Sequence, residues 1–161
     1  MSIVRKLWVV VMLCLAGMAG AADLPAVFPQ VRSIFPEADA YGGFEGTPPS
    51  VAVYQGGKRI GYIFLTEDVL RIPAYSGKPV VTLIGMDRDG RFVGVKVLKH
   101  SEPILLLGIP EAALVNFNQQ YLGRKITDSI EVGPSRPAEN VIGVDAISGA
   151  TVTVVAQNQV L

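Results

Sequence analysis

The 161-residue sequence predicts an α+β domain built from antiparallel β-hairpins with flanking helices. Two observations carry that reading. Apolar runs at residues 51–54 and 60–65 flank Gln55-Gly56-Gly57-Lys58-Arg59, and runs at 80–86 and 92–98 flank Asp87-Arg88-Asp89-Gly90, so the middle of the chain reads as two hairpins in tandem. Helical spacing lies at the two ends and after the second hairpin, which fits segregated strands and helices better than an alternating, doubly wound sheet. With 50% hydrophobic and 17% charged residues, the chain has the composition of one ordinary globular domain with one core.

The same composition excludes several function classes. Fourteen basic side chains against fourteen acidic ones leave no electrostatic footprint for nucleic acid. One cysteine and one histidine rule out the four-cysteine, mixed and triple-histidine zinc sites, so no metal ligands are expected. A Cys–His nucleophilic pair is excluded as well, because Cys14 falls in an N-terminal targeting segment.

The elements follow in order. Arg5 and Lys6 precede an uncharged run over residues 7–22 that ends in Met18-Ala19-Gly20-Ala21-Ala22, the pattern of a secretory signal cleaved near Ala21 or Ala22. Its sixteen residues fall short of the roughly 20 that a helix needs to span hydrocarbon, with a retained, tilted anchor as the alternative. Trp8 belongs to this segment, and Cys14 lacks the small preceding residue of a lipoprotein signal. Cleavage would leave a mature domain, residues 23–161, with no cysteine and 12 basic against 14 acidic side chains.

Val27, Val31, Ile34 and Phe35 recur at helical spacing within residues 24–38 and predict one short amphipathic helix. Gly and Pro punctuation over residues 41–49 predicts a connection that does not pack. The hairpins come next, with Tyr62, Phe64 and Phe92 assigned to the core. The polar stretch between them, residues 66–79, is too long for a tight turn and is a candidate functional loop. After the second hairpin come Lys99-His100-Ser101-Glu102-Pro103, the apolar stretch 104–109, and a helix that Pro110 opens and that runs to about Tyr121. A weak strand at residues 130–132 and a stronger one at 141–144 precede Asp145-Ala146-Ile147-Ser148-Gly149-Ala150-Thr151 and a final helix.

That strand–turn–helix segment carries the chemistry. Ser148 is expected at the N-cap and Thr151 in the first helical turn, where unsatisfied backbone N–H groups and the helix dipole favour an anion and Gly149 leaves room for a phosphate. The same pattern also serves as plain helix capping.

Asp-x-x-Ser-Gly-Ala-Thr, here residues 145–151, resembles the flavinylation motif of the bacterial FMN-binding domain shared by NosR, RnfG and NqrC proteins. The resemblance implies covalent FMN, joined through its phosphate to the hydroxyl of Thr151 by a magnesium-dependent flavin transferase, the maturation partner. Ser148, Gly149 and Ala150 would belong to the same binding segment, and Asp145 would assist the transfer through a proton or metal contact. Further stretches are similar to the NosR branch, the nitrous-oxide-reductase maturation and regulatory proteins: Gly61-Tyr62-Ile63-Phe64-Leu65-Thr66-Glu67-Asp68-Val69, Tyr75-Ser76-Gly77-Lys78-Pro79, and residues 100–110. These resemblances cover about residues 51–153.

Four further residues are candidates for holding the flavin. His100 with Glu102 would hydrogen-bond its ring or ribityl chain, or else form a structural pair, while residues 104–109 would cover the ring and exclude water. Tyr75 would offer an aromatic face and Lys78 a cation for the phosphate, with a plain turn and a solvated Lys78 as the alternative.

The function expected from the resemblance is electron transfer by an exported domain, not a stand-alone enzyme. It would sit in the periplasm, or on the inner membrane facing it, and pass electrons from membrane partners toward nitrous oxide reductase, itself a candidate partner, supporting that enzyme's activity or expression during denitrification. Members of the NosR branch continue into transmembrane helices and iron–sulfur cysteine motifs. The chain is therefore expected to be an N-terminal portion with its flavin domain C-terminally truncated, attached to the membrane through that missing region or through a retained N-terminal segment. The family also bears a transcription-regulator label, but a slightly acidic exported domain is expected to make no direct contact with nucleic acid. The alternatives are an RnfG/NqrC-like subunit of a membrane ion-pumping electron-transport complex and a flavin-free periplasmic sensory module.

Overall fold

The structure, a computed structural model, describes residues 23–161. The targeting segment over residues 1–22 lies outside the described residues. The architecture is α+β, as the hairpin pattern predicts. One five-stranded antiparallel meander has the order β1 (Ala40–Glu45), β2 (Ser50–Gln55), β3 (Lys58–Leu65), β4 (Val81–Asp87) and β5 (Phe92–Lys99). The first predicted hairpin closes through Gly56 and Gly57 at φ of 56° and 73°, the pair of positive angles that a two-residue turn with matching twist requires. In the second, the Asp87 carboxylate accepts the N–H groups of Asp89 and Arg91 at 2.8 and 2.9 Å and so holds its own turn.

Each face of the sheet is covered by a different end of the chain. Val51, Val53, Ile63 and Leu83 point to one face and pack with Leu24, Val31, Ile34 and Phe35. Ile84, Phe92 and Val95 point to the other and pack with Phe117, Tyr121, Val144 and Val154. The second group comes from α4 (Glu111–Gln119), its C-terminal flank, a two-stranded parallel sheet of β6 (Ser129–Val132) and β7 (Val141–Val144), and α5 (Thr151–Val160). Burial pushes the Tyr121 hydroxyl well above its ordinary pKa, and that hydroxyl donates to Asn158 Oδ1 at 2.6 Å.

Four expectations change on inspection. The single N-terminal helix is two separate turns, α1 (Leu24–Val27) and α2 (Val31–Ile34), because Pro29 has no N–H to carry the helix through. Residues 41–49 do not merely connect: β1 pairs with the open edge of β2, with a register shift between Tyr41 and Phe44 where Gly42 and Gly43 lie, so its glycines sit at an irregularity in an edge strand. The long loop opens with a helical turn, α3 (Thr66–Val69), whose Thr66 hydroxyl accepts the Thr82 N–H at 3.0 Å. Tyr62 is only half buried, beneath the Arg59 guanidinium at 4.9 Å, whereas Phe92 is fully in the core and Phe64 packs at its margin.

Glycines admit the N-terminal helical turns to the sheet. A Cβ on Gly94 would come within 2.6 Å of two Ile34 carbons, and one on Gly61 within 2.6 Å of Phe35 Cζ. The missing side chains on β3 and β5, the strands on either side of β4, leave the hollow that Ile34 and Phe35 fill.

Candidate functional site

Thr151 is the first residue of α5 and is exposed beside a cleft of about 220 Å³. The cleft is lined by Tyr75, residues 102–104, Leu107 and residues 149–153. It is built from three segments distant in sequence: the loop after α3, the stretch after β5, and the start of α5.

The start of α5 is formed differently from the expected serine cap. Ser148 is exposed and lies two residues too early, and the N-cap is Ala150, whose side chain cannot accept a hydrogen bond. The reason is a tight turn, in which the Ala150 N–H donates to Ile147 C=O at 3.0 Å while Gly149 takes a φ of 80°. That turn delays helical geometry until Thr151. The Val154 N–H bonds Ala150 C=O at 3.0 Å, so the amides before it in the first turn have no intrahelical partner and no side chain caps them. An uncapped first turn with an exposed hydroxyl is chemically suited to a phosphate. A Cβ on Gly149 would also press on Ile109 Cδ1 at 3.3 Å.

Glu102 is buried at 6% exposure and is the best-connected polar side chain of the cleft. Its Oε1 accepts the Ser76 N–H at 2.9 Å, and its Oε2 accepts the Tyr75 N–H at 3.1 Å together with the Thr153 hydroxyl. Burial alone would raise its pKa, but the hydrogen bonds from Thr153, Ser76 and Tyr75 outweigh that and hold the carboxyl below its usual range. The Glu102 N–H donates to His100 Nδ1 at 3.2 Å, which leaves the ring proton on Nε2, 3.1 Å from Glu111 Oε1. His100 thus reaches the first turn of α4 and does not line the cleft.

The other expected residues divide. Gly149, Ala150, Thr151 and Glu102 are brought together, and Tyr75 joins them at 65% exposure. Lys78 is exposed outside the cleft. Asp145 lines a separate groove with Asn116, Phe117 and Gln120, its backbone N–H and C=O both held by the Gln120 amide at 2.7 and 3.2 Å. Of residues 104–109, Ile104 and Leu107 line the cleft, while Leu106 is 88% exposed. Thr153 is the member that the sequence did not disclose; its one signal is a hydroxyl two residues past Thr151 between valines, and it is buried at 2% exposure.

The cleft is smaller than the roughly 300–1,000 Å³ of sites that enclose a small ligand. Tyr75, Ile104 and Leu107 are the residues of its lining that would hold the ring of a flavin attached at Thr151. The residues present fit that group: a reachable hydroxyl, free first-turn amides for phosphate oxygens, and an apolar wall for a ring. Among the described residues there is no cluster of three His, Cys, Asp or Glu side chains that could hold a metal, and no helix is long and apolar enough to cross a membrane.

The family described as the FMN-binding domain matches residues 75–161, the half of the chain that contains every wall of this cleft. Over 152 residues, 93% of the chain, it is 38% identical to the regulatory protein NosR of Pseudomonas aeruginosa, covering 21% of that protein. Over 141 residues, 88% of the chain, it is 36% identical to the regulatory protein NosR of Stutzerimonas stutzeri, covering 19%. The protein NirI of Paracoccus denitrificans is 30% identical over 105 residues, 65% of the chain and 14% of NirI. The chain spans about a fifth of the length of the NosR proteins it matches.

Proposed function

The chain belongs to the FMN-binding domain family, and on that premise we propose that it is an exported electron-transfer domain carrying FMN through a phosphoester bond to Thr151. The observation that supports this most directly is the exposed Thr151 hydroxyl on the uncapped first turn of α5, inside the Asp145–Thr151 motif. Bound FMN supplies the redox chemistry; the protein supplies attachment, orientation and the electrostatic surroundings.

The roles of this chain's own groups follow from the geometry. Thr151 Oγ would be the attacking oxygen: its proton would be lost and its bond to phosphorus would form as the transferase's activated flavin-phosphate donor, a phosphoanhydride, loses its leaving phosphate-bearing group with the electron pair of the broken P–O bond. The uncapped amides of the first turn would hold the phosphate oxygens, where the helix dipole would contribute about 0.3–1 kcal/mol. Gly149 keeps the approach free of a side chain, and Tyr75, Ile104 and Leu107 would offer the ring apolar contacts. Covalent attachment compensates for a shallow cleft, since a tethered group is not lost by dissociation.

We place the domain in the periplasm, or on the inner membrane facing it, with a flavin transferase as its maturation partner. The similarity to NosR supports a role in nitrous oxide reductase activity or expression, exercised through membrane electron-transfer partners. The near-neutral charge favours protein partners over nucleic acid.

The test is to export the chain with a co-produced flavin transferase, digest it, and sequence the yellow, fluorescent peptide by mass spectrometry. The adduct is expected on Thr151. An adduct on another residue, or folded protein without flavin, would overturn the attachment.

A further inference from the structure

We propose that Glu102 is the positioning residue of the attachment site, setting the roll of the first turn of α5 so that Thr153 faces inward and Thr151 faces the cleft. This rests on the Thr151 reading above. A carboxylate is rarely buried without charged partners, yet both oxygens of Glu102 are engaged by neutral donors from two distant segments. The Ser76 and Tyr75 amides lie 26 and 27 residues before it, and the Thr153 hydroxyl lies 51 residues after it. Its backbone is held in turn by His100, which is braced on Glu111.

The consequence for Thr151 is geometric. Residues 151 and 153 are two positions apart, about 200° around a helix, so pinning one hydroxyl inward fixes the direction of the other. Because Ala150 offers no cap, Glu102 is the side chain that ties the first turn of α5 to the opposite wall. A charged acceptor makes that tie stronger than a neutral one. Glu102 thus acts through Thr153 and leaves the first-turn amides free for phosphate.

The experiment measures the rate of covalent flavin incorporation into the full chain by a flavin transferase, with each variant's folding checked by circular dichroism at the assay temperature. Glu102→Gln keeps the shape but removes the charge, and Thr153→Val keeps the shape but removes the hydroxyl. Each is expected to slow incorporation about tenfold to a hundredfold through kcat, not KM, the size of effect that misplacement of a reacting group produces. The double variant should be no slower than the slower single one, because both substitutions break one tie. Wild-type rates in a folded Thr153→Val or Glu102→Gln protein, or losses that multiply in the double variant, would overturn the proposal while leaving Thr151 attachment intact. Folded wild type that takes up no flavin would overturn the attachment reading and this proposal with it.

Discussion

At the residue scale the cleft depends on two hydroxyls and one carboxylate with separate tasks. Thr151 is exposed and free to react, whereas Thr153 is buried and committed to Glu102. Truncating Glu102 to Ala would strand two amides and a hydroxyl without their acceptor, at an expected cost of about 2–5 kcal/mol in a urea or thermal unfolding measurement. The sign of the pH dependence follows from the lowered carboxyl pKa. The stabilisation that Glu102 contributes is fully present above the ordinary glutamate value of about 4.3 and is lost as pH falls through the lower folded value. Unfolding followed from pH 7 into acid should therefore show a destabilisation in wild type that the Glu102→Gln variant lacks; equal slopes would argue that the carboxylate is not held by these donors. Little of this was legible in the sequence. Glu102 stands out beside His100, but its partners come from positions 75, 76 and 153, and no local pattern announces contacts across 26 to 51 residues.

At the element scale the start of α5 joins fold to chemistry. Gly149 at φ 80° lets the chain turn into the helix without a capping side chain, and an alanine there would meet both the left-handed strain and Ile109. Gly149→Ala is expected to cost about 1–2 kcal/mol in thermal unfolding and to slow flavin incorporation. Unchanged stability would mean that the turn tolerates another conformation. The sequence made the strand, the turn, the helix and Thr151 in its first turn legible, because each rests on local composition. It misassigned the cap to Ser148 because the Ile147–Ala150 turn, which postpones the helix by two residues, depends on how the backbone closes. The hairpins were legible for the same local reason: Gly56-Gly57 and Asp87 through Gly90 dictate their turns. β1 was not, because a glycine-rich edge strand forms only once β2 offers it an unpaired neighbour.

At the scale of the whole molecule the sheet separates two tasks. The N-terminal turns close one face, while α4, α5 and the parallel β6–β7 pair close the other and present the cleft at the start of α5. Gly94→Ala, which presses on Ile34 at 2.6 Å, is expected to destabilise the domain by about 1–3 kcal/mol while leaving flavin incorporation intact in the folded fraction. Loss of labelling out of proportion to unfolding would instead tie the two faces together. The cleft at the start of α5 is proposed to hold a flavin on Thr151. The most direct measurement is the intact mass and in-gel fluorescence of the exported chain, produced with a flavin transferase, as wild type, Thr151→Ser and Thr151→Ala. A fluorescent adduct of one FMN less water is expected on wild type, retained at least in part by Thr151→Ser and absent from Thr151→Ala. An adduct that survives Thr151→Ala, or a folded wild type that carries none, would contradict that attachment.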